Sequence, residues 1–178
     1  EDRSNDYLYL ALYTFALLAW ELLVLITIDV GLKATGLGDG SASVLHWLIT
    51  AAGWCGGAWY VLHRRPPDDG LFADPIVGSV VRRAVAVATA IAVCSGVRIA
   101  ALGEWKPYAE IQDLRVDLGS KTWLGAVALF MYYAAKTLVI TVLVAFAQRS
   151  GELRFRRREI PWGGILLACT WGVMHIFL

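Results

Sequence analysis

Charge is scarce in this chain. Asp, Glu, Lys and Arg make up 17% of its 178 residues and hydrophobic residues 58%, with a mean hydropathy of +0.57. Soluble domains average about 25% charged and about 45–50% apolar. Net charge is also nearly absent, at +1, so nothing pulls the chain as a whole toward nucleic acid. Cysteine is sparse: Cys55, Cys94 and Cys169 lie one each in three separate apolar runs. Without a CxxC or an even count, a disulfide framework or a thiolate metal site is not expected. No phosphate-binding glycine loop, dinucleotide fingerprint or GxSxG elbow occurs, and no HExxH helix. Long internal repeats and low-complexity stretches are missing too.

What the chain does have is apolar runs of about 20 residues with the charges between them, the length a helix needs to cross a bilayer. Five spans are predicted in a single integral membrane domain, residues 1–178: about Tyr7–Val30, Val44–Leu62, Arg83–Leu102, Thr122–Ala147 and Ile160–Leu178. A buried helical bundle in water would need polar outer faces, which these segments lack. The first run is longer than a leader's apolar core and Glu1-Asp2-Arg3 is not a basic leader start, so the reading is a span rather than a cleaved signal. Gly36-Leu37-Gly38-Asp39-Gly40 supplies a turn after the first span, and His63 to Gly70 carries Pro66-Pro67, a helix stop. Gln148 to Glu159 reads as a basic loop.

Lysine and arginine set the expected orientation. Ten of them (Arg3; Arg64, Arg65, Arg82, Arg83; Arg149, Arg154, Arg156, Arg157, Arg158) fall on one side, against four (Lys33, Lys106, Arg115, Lys121) on the other. The N-terminus is therefore predicted cytoplasmic, in the plasma (inner) membrane of a bacterium. Small residues recur every four positions at Gly53/Gly57, Ala88/Ala92/Gly96 and Gly164/Ala168/Gly172, spacing that lets helices approach closely in lipid. In the outer loop Trp105, Tyr108, Ile111 and Leu114 alternate with Glu104, Glu110, Asp113 and Asp117, which predicts a short helix on the outer surface.

Three ionisable residues interrupt the spans: Glu21, Arg98 and Lys136. A charge at mid-membrane costs at least about 2.5–3.5 kcal/mol, so each is expected to face a partner or a water-filled cavity. Counting along the helices puts all three at similar depth. They read as internal ion pairs fixing helix register, as a polar cluster holding a lipid or small ligand, or as a contact with another membrane subunit. One carboxylate and two cations would leave a positive charge for an anionic group, a quinone or a lipid headgroup. His46 and His175 both fall near the outer face, where two imidazoles could ligate haem or a metal; each is otherwise an interfacial histidine bonded to a neighbour. Arg154 to Arg158 read as an anchor touching anionic lipid.

Gly151-Glu152-Leu153-Arg154-Phe155-Arg156 and Trp171-Gly172-Val173-Met174-His175 resemble two motifs of the CPBP (CAAX protease and Abi) membrane family, over about residues 130–178. The resemblance implies an intramembrane protease-like hydrolase with Glu152 activating water, Arg156 in the same motif and His175 helping to bind the water or a metal. Nineteen residues separate Arg156 from His175, about 28 Å along a helix. On the predicted topology Glu152 and His175 then sit on opposite sides, beyond the reach a shared base needs.

The expectation is thus an all-α polytopic bundle, a non-enzymatic integral membrane subunit or accessory protein built around Glu21, Arg98 and Lys136. Its cofactor is undetermined, and its partners would be membrane lipids and other membrane subunits, not nucleic acid. The alternatives are a divergent CPBP-like protease, and a haem- or quinone-binding component using His46 and His175.

Overall fold

The computed structural model describes residues 2–34, 38–66 and 105–172, together with single positions or short groups at 36, 71, 85, 88–89, 92–93, 95–97, 99–101 and 103. Among the described residues every regular element is helical and none is a strand. Helix α1 (Asp2–Leu18) continues through a short break at Ala19 into α2 (Trp20–Val24), a π-turn at Leu25–Asp29 and α3 (Val30–Ala34). Helix α4 is Asp39–His63, α5 Lys106–Leu118, α6 Thr122–Phe155 and α7 Trp162–Leu167, the last running into a π-turn at Ala168–Gly172. Of the third predicted span, 83–102, the described positions, 85, 88–89, 92–93, 95–97 and 99–101, are helical.

Among the described residues two helical stretches, Arg3–Leu32 and Tyr108–Phe155, are long and apolar enough to cross a membrane. Much of their apolar surface faces outward. Ile26 is 68% exposed and Phe130 74%, a display that soluble monomers rarely sustain in contiguous patches. The glycines, tryptophans, tyrosine and two histidines of α4 lower its hydropathy, although its 25 residues are long enough.

Helix α6 is the centre of the bundle, packing against α1, α4, α5 and α7. The reason is its inner stripe. Tyr132, Ala135, Val139, Val142, Leu143 and Phe146 recur at three- and four-residue steps and are all buried, so they share one face. They meet Tyr7, Leu10, Ala11 and Leu18 of α1, and Ala51, Trp54, Ala58 and Val61 of α4, in a single core. The same spacing on all three helices closes the interior.

Close approach rests on glycine. A Cβ on Gly53 would lie 2.1 Å from the Trp20 indole nitrogen, and one on Gly57 2.4 Å from Leu17, so the GxxxG pair of α4 is the face that receives α1 and α2. In the last helix Gly164 and Ala168 of the small-residue stripe do not face α6. Gly164 and Ala168 are exposed, and Gly163 instead abuts α6, where a Cβ would fall 2.3 Å from the Val144 carbonyl oxygen. The register is one residue off because Trp162 must cover Gly151, whose Cβ would meet the indole at 2.2 Å.

The predicted fourth loop is shorter than its charges suggest. Helix α6 does not stop at Ala147 but continues two turns to Phe155, since Gln148 to Phe155 contains no proline and Trp162 shields its one glycine. It ends where Arg156 takes a left-handed conformation, φ 54°, and donates its N–H to the Glu152 carbonyl at 2.9 Å. Gln148 then ties the returning chain. Its amide nitrogen donates to the Ile160 carbonyl at 3.0 Å, and its oxygen accepts the Gly163 N–H at 3.1 Å. Ser4 and Ser150 bond reciprocally, each hydroxyl donating to the other's carbonyl at 3.0 and 2.8 Å. The start of α1, the end of α4 and the end of α6 therefore gather at one end of the bundle, with the arginine clusters; α5 and the start of α4 form the other.

Candidate functional site

Helix α1–α3 is irregular around Glu21. The Ala19 N–H bonds three residues back, to Ala16 at 3.0 Å, and the π-turn follows at Leu25. Glu21 therefore sits on a short regular stretch between two distortions, and π-bulges recur at functional sites. From there its carboxylate reaches α6. The Tyr132 hydroxyl donates to Glu21 Oε1, and Lys136 Nζ lies 3.6 Å from Glu21 Oε2. Tyr132 and Lys136 are one turn apart on α6, and Lys136 Nζ donates to the Tyr132 hydroxyl at 3.3 Å. The carboxylate, phenol and ammonium form one closed triangle.

Aromatic rings back this triangle. Lys136 Nζ lies 5.3 Å from the centroid of Tyr132 and 5.7 Å from that of Trp54, within the range of cation–π attraction. The two rings are 5.2 Å apart. Trp54 is fixed in turn by its indole N–H, which donates to the Leu17 carbonyl at 2.7 Å. The cation is thus held by an ion pair, a hydroxyl and two ring faces, with about a fifth of its side chain exposed, 21% against 24% for Glu21.

That exposure opens into a cavity of about 480 Å³ at the α5 end. Glu21, Tyr132 and Lys136 line it, joined by Ser43 and Trp47 of α4, by Leu129 and Tyr133 of α6, and by Glu110, Asp113, Leu114 and Asp117 of α5. Helix α5 is fitted closely over it. A Cβ on Gly125 would meet Leu114 at 2.7 Å, and one on Gly40 would meet Asp117 Cβ at 2.7 Å. Steps of three and four place Glu110, Asp113 and Asp117 on one face of α5, turned to the cavity. The Tyr133 hydroxyl donates to Glu110 at 2.9 Å, tying that face to α6.

The described lining carries four carboxylates, Glu21, Glu110, Asp113 and Asp117, and one ammonium, Lys136. Helix α5 supplies three of these acids, which the expected cluster of Glu21, Arg98 and Lys136 did not include. These acids, read from sequence as charges on an outer surface, line the cavity while Asp113 and Asp117 remain exposed. Its Tyr108 and Ile111 point outward, 60% and 44% exposed, and Leu114 inward at 3%. Glu21 and Lys136 are brought together as expected; Arg98 lies outside the described residues. Tyr132, Tyr133, Trp47 and the α5 acids went unrecognised. The signals were the Tyr132–Lys136 step of four and the 110-113-117 acidic face.

The remaining candidates lie elsewhere. Glu152 accepts from the Gln148 amide at 2.9 Å and pairs with Arg149 at 3.6 Å, at the arginine-rich end; Arg156 ends α6 and His175 lies outside the described residues. His46 is half-buried in the first part of α4, and its suggested partner His175 is again outside. His63 closes α4 rather than standing in a loop, its ring 4.3 Å from Trp59. Among the described residues no three His, Cys, Asp or Glu side chains group so as to hold a metal ion. Comparison with known proteins gives no match to this chain, whether to a family model, a curated protein or a solved structure.

Proposed function

We propose that this chain is a five-span integral protein of the plasma (inner) membrane, N-terminus cytoplasmic, acting without catalysis as a subunit or accessory protein that binds a small cationic ligand from the outer side. The observation that carries this reading is the Glu21–Tyr132–Lys136 triangle at the floor of the 480 Å³ cavity. Small-ligand sites have volumes of about 300–1,000 Å³ and pair apolar or aromatic walls with a few placed polar groups. Here the walls are Trp47, Tyr132 and Tyr133. Glu21 pairs with Lys136, and among the described lining residues α5 adds three carboxylates; an ammonium or guanidinium group is the complement of carboxylates beside ring faces.

The test uses purified full-length protein in mild detergent. Spermidine is the cationic probe and glutamate the acidic one, with thermal unfolding as the readout. Spermidine is expected to raise Tm in a concentration-dependent way, and Glu110→Gln with Asp113→Asn to abolish the shift. A shift with glutamate and none with spermidine would overturn the cationic assignment.

A further inference from the structure

We infer that a second site, at the opposite end of the bundle, holds the phosphate headgroup of an anionic phospholipid in a groove between α1 and α4. The inference takes the membrane reading above as its premise and is independent of the cationic pocket. Two cavities adjoin there. One, of about 470 Å³, lies between Asp6, Tyr9 and Leu10 of α1 and Arg64, Arg65 and Pro66 after α4. The other, of about 300 Å³, is lined by Leu10, Tyr13, Tyr60, Val61 and Arg64. They share Leu10 and Arg64 and so adjoin, the first polar at the end of the bundle and the second more apolar toward the middle of the helices.

This gradient matches a phospholipid lying along the bundle. Arg64 stands at the junction, its guanidinium 5.2 Å over the Tyr60 ring. The ring positions the planar fork, which bonds phosphate oxygens in pairs. Arg65 adds a second positive charge at the rim. Past Arg64 the groove offers the faces of Tyr13 and Tyr60, exposed by 66% and 54%, to a hydrocarbon chain, over a floor of buried Leu10 and Val61. Tyrosine at this level is the usual interfacial residue. Among the described residues the rim holds two cations, Arg64 and Arg65, and one carboxylate, Asp6, a balance that favours a headgroup with net negative charge over a zwitterionic one.

The groove is tested with the full chain in nanodiscs of phosphatidylcholine doped with phosphatidylglycerol, by native mass spectrometry of the lipid retained on release. Phosphatidylglycerol is expected to be retained preferentially. Arg64→Gln and Arg65→Gln should each weaken retention about fivefold, the scale of one basic residue near an anionic surface. Arg157→Gln, in the other basic segment, should leave it unchanged. Asp6→Asn should tighten retention, which keeps the inference testable if the arginine variants misfold. Equal retention of the two lipids overturns it, as does equal loss in Arg157→Gln or unchanged or weaker retention in Asp6→Asn. Glycerol phosphate binding in detergent as tightly as the lipid would mark a soluble-phosphate site and overturn the lipid assignment. Carbonate extraction of membranes is run alongside: release of the chain sinks the membrane reading itself, whereas retention without phosphatidylglycerol preference sinks the groove alone.

Discussion

Lys136 has little bulk water around it, so its charge is sustained by what touches it. Glu21 neutralises it, Tyr132 accepts one of its hydrogens, and two rings face it. Removing one partner of a mostly buried pair leaves the other charge uncompensated, which costs more than the pair contributes. Glu21→Gln and Lys136→Met should therefore each lower stability by about 1–3 kcal/mol, while the double substitution should cost less than the two together. Thermal unfolding of the four proteins in one detergent measures the coupling. Strict additivity would mean that the groups do not depend on each other. Glu21 and Lys136 were legible in the sequence because a charge in an apolar run needs a reason. Tyr132 and Trp54 were not: an aromatic residue in an apolar helix looks the same whether it packs or binds, and only the folded geometry puts its hydroxyl or ring against a charge.

The elements depend on where side chains are absent. Gly163 lies against the backbone of α6, and a carbonyl oxygen cannot rotate away from an added methyl. Gly163→Ala should thus destabilise by about 1–3 kcal/mol through overpacking. Gly164→Ala, with nothing nearer than 3.9 Å to its new Cβ, should be neutral or slightly stabilising through helix propensity. Unfolding midpoints of the two variants test the register directly, and the opposite ranking would show that α7 presents its Gly164–Ala168 face to α6. The helices themselves were readable from the length and hydropathy of their runs. Their ends were not, because the arginines of 148–159 suggested a loop, whereas helix termination depends on φ, and the chain turns only at Arg156. Helix α5 was foreseen from its three-residue stripe, but not that its acids line the cavity, since amphipathic spacing gives the two faces without saying which one meets protein.

At the scale of the molecule the two ends differ in charge. Arg64 and Arg65 follow α4 and Arg154 to Arg158 close α6, at the end where Ser4 meets Ser150. Glu110, Asp113 and Asp117 stand at the other. Short basic segments stay on the cytoplasmic side of membrane proteins, whereas acidic residues have little influence on orientation. The proposed arrangement follows from that asymmetry and has consequences for accessibility. In a background with Cys55, Cys94 and Cys169 replaced by alanine, Ser120→Cys, exposed between α5 and α6, should react with a membrane-impermeant maleimide on intact cells. Arg158→Cys, exposed between α6 and α7, should react only after permeabilisation. Helix α6 has 34 residues between these two sites, about 50 Å at 1.5 Å per residue, more than the roughly 30 Å hydrocarbon core. Both cysteines would therefore stand clear of lipid, and the labelling would report sidedness rather than burial. Labelling of both on intact cells would mean that α6 does not separate two compartments. The reverse pattern would place the acidic cavity toward the cytoplasm and the arginine groove outside, so that ligand would enter from within the cell.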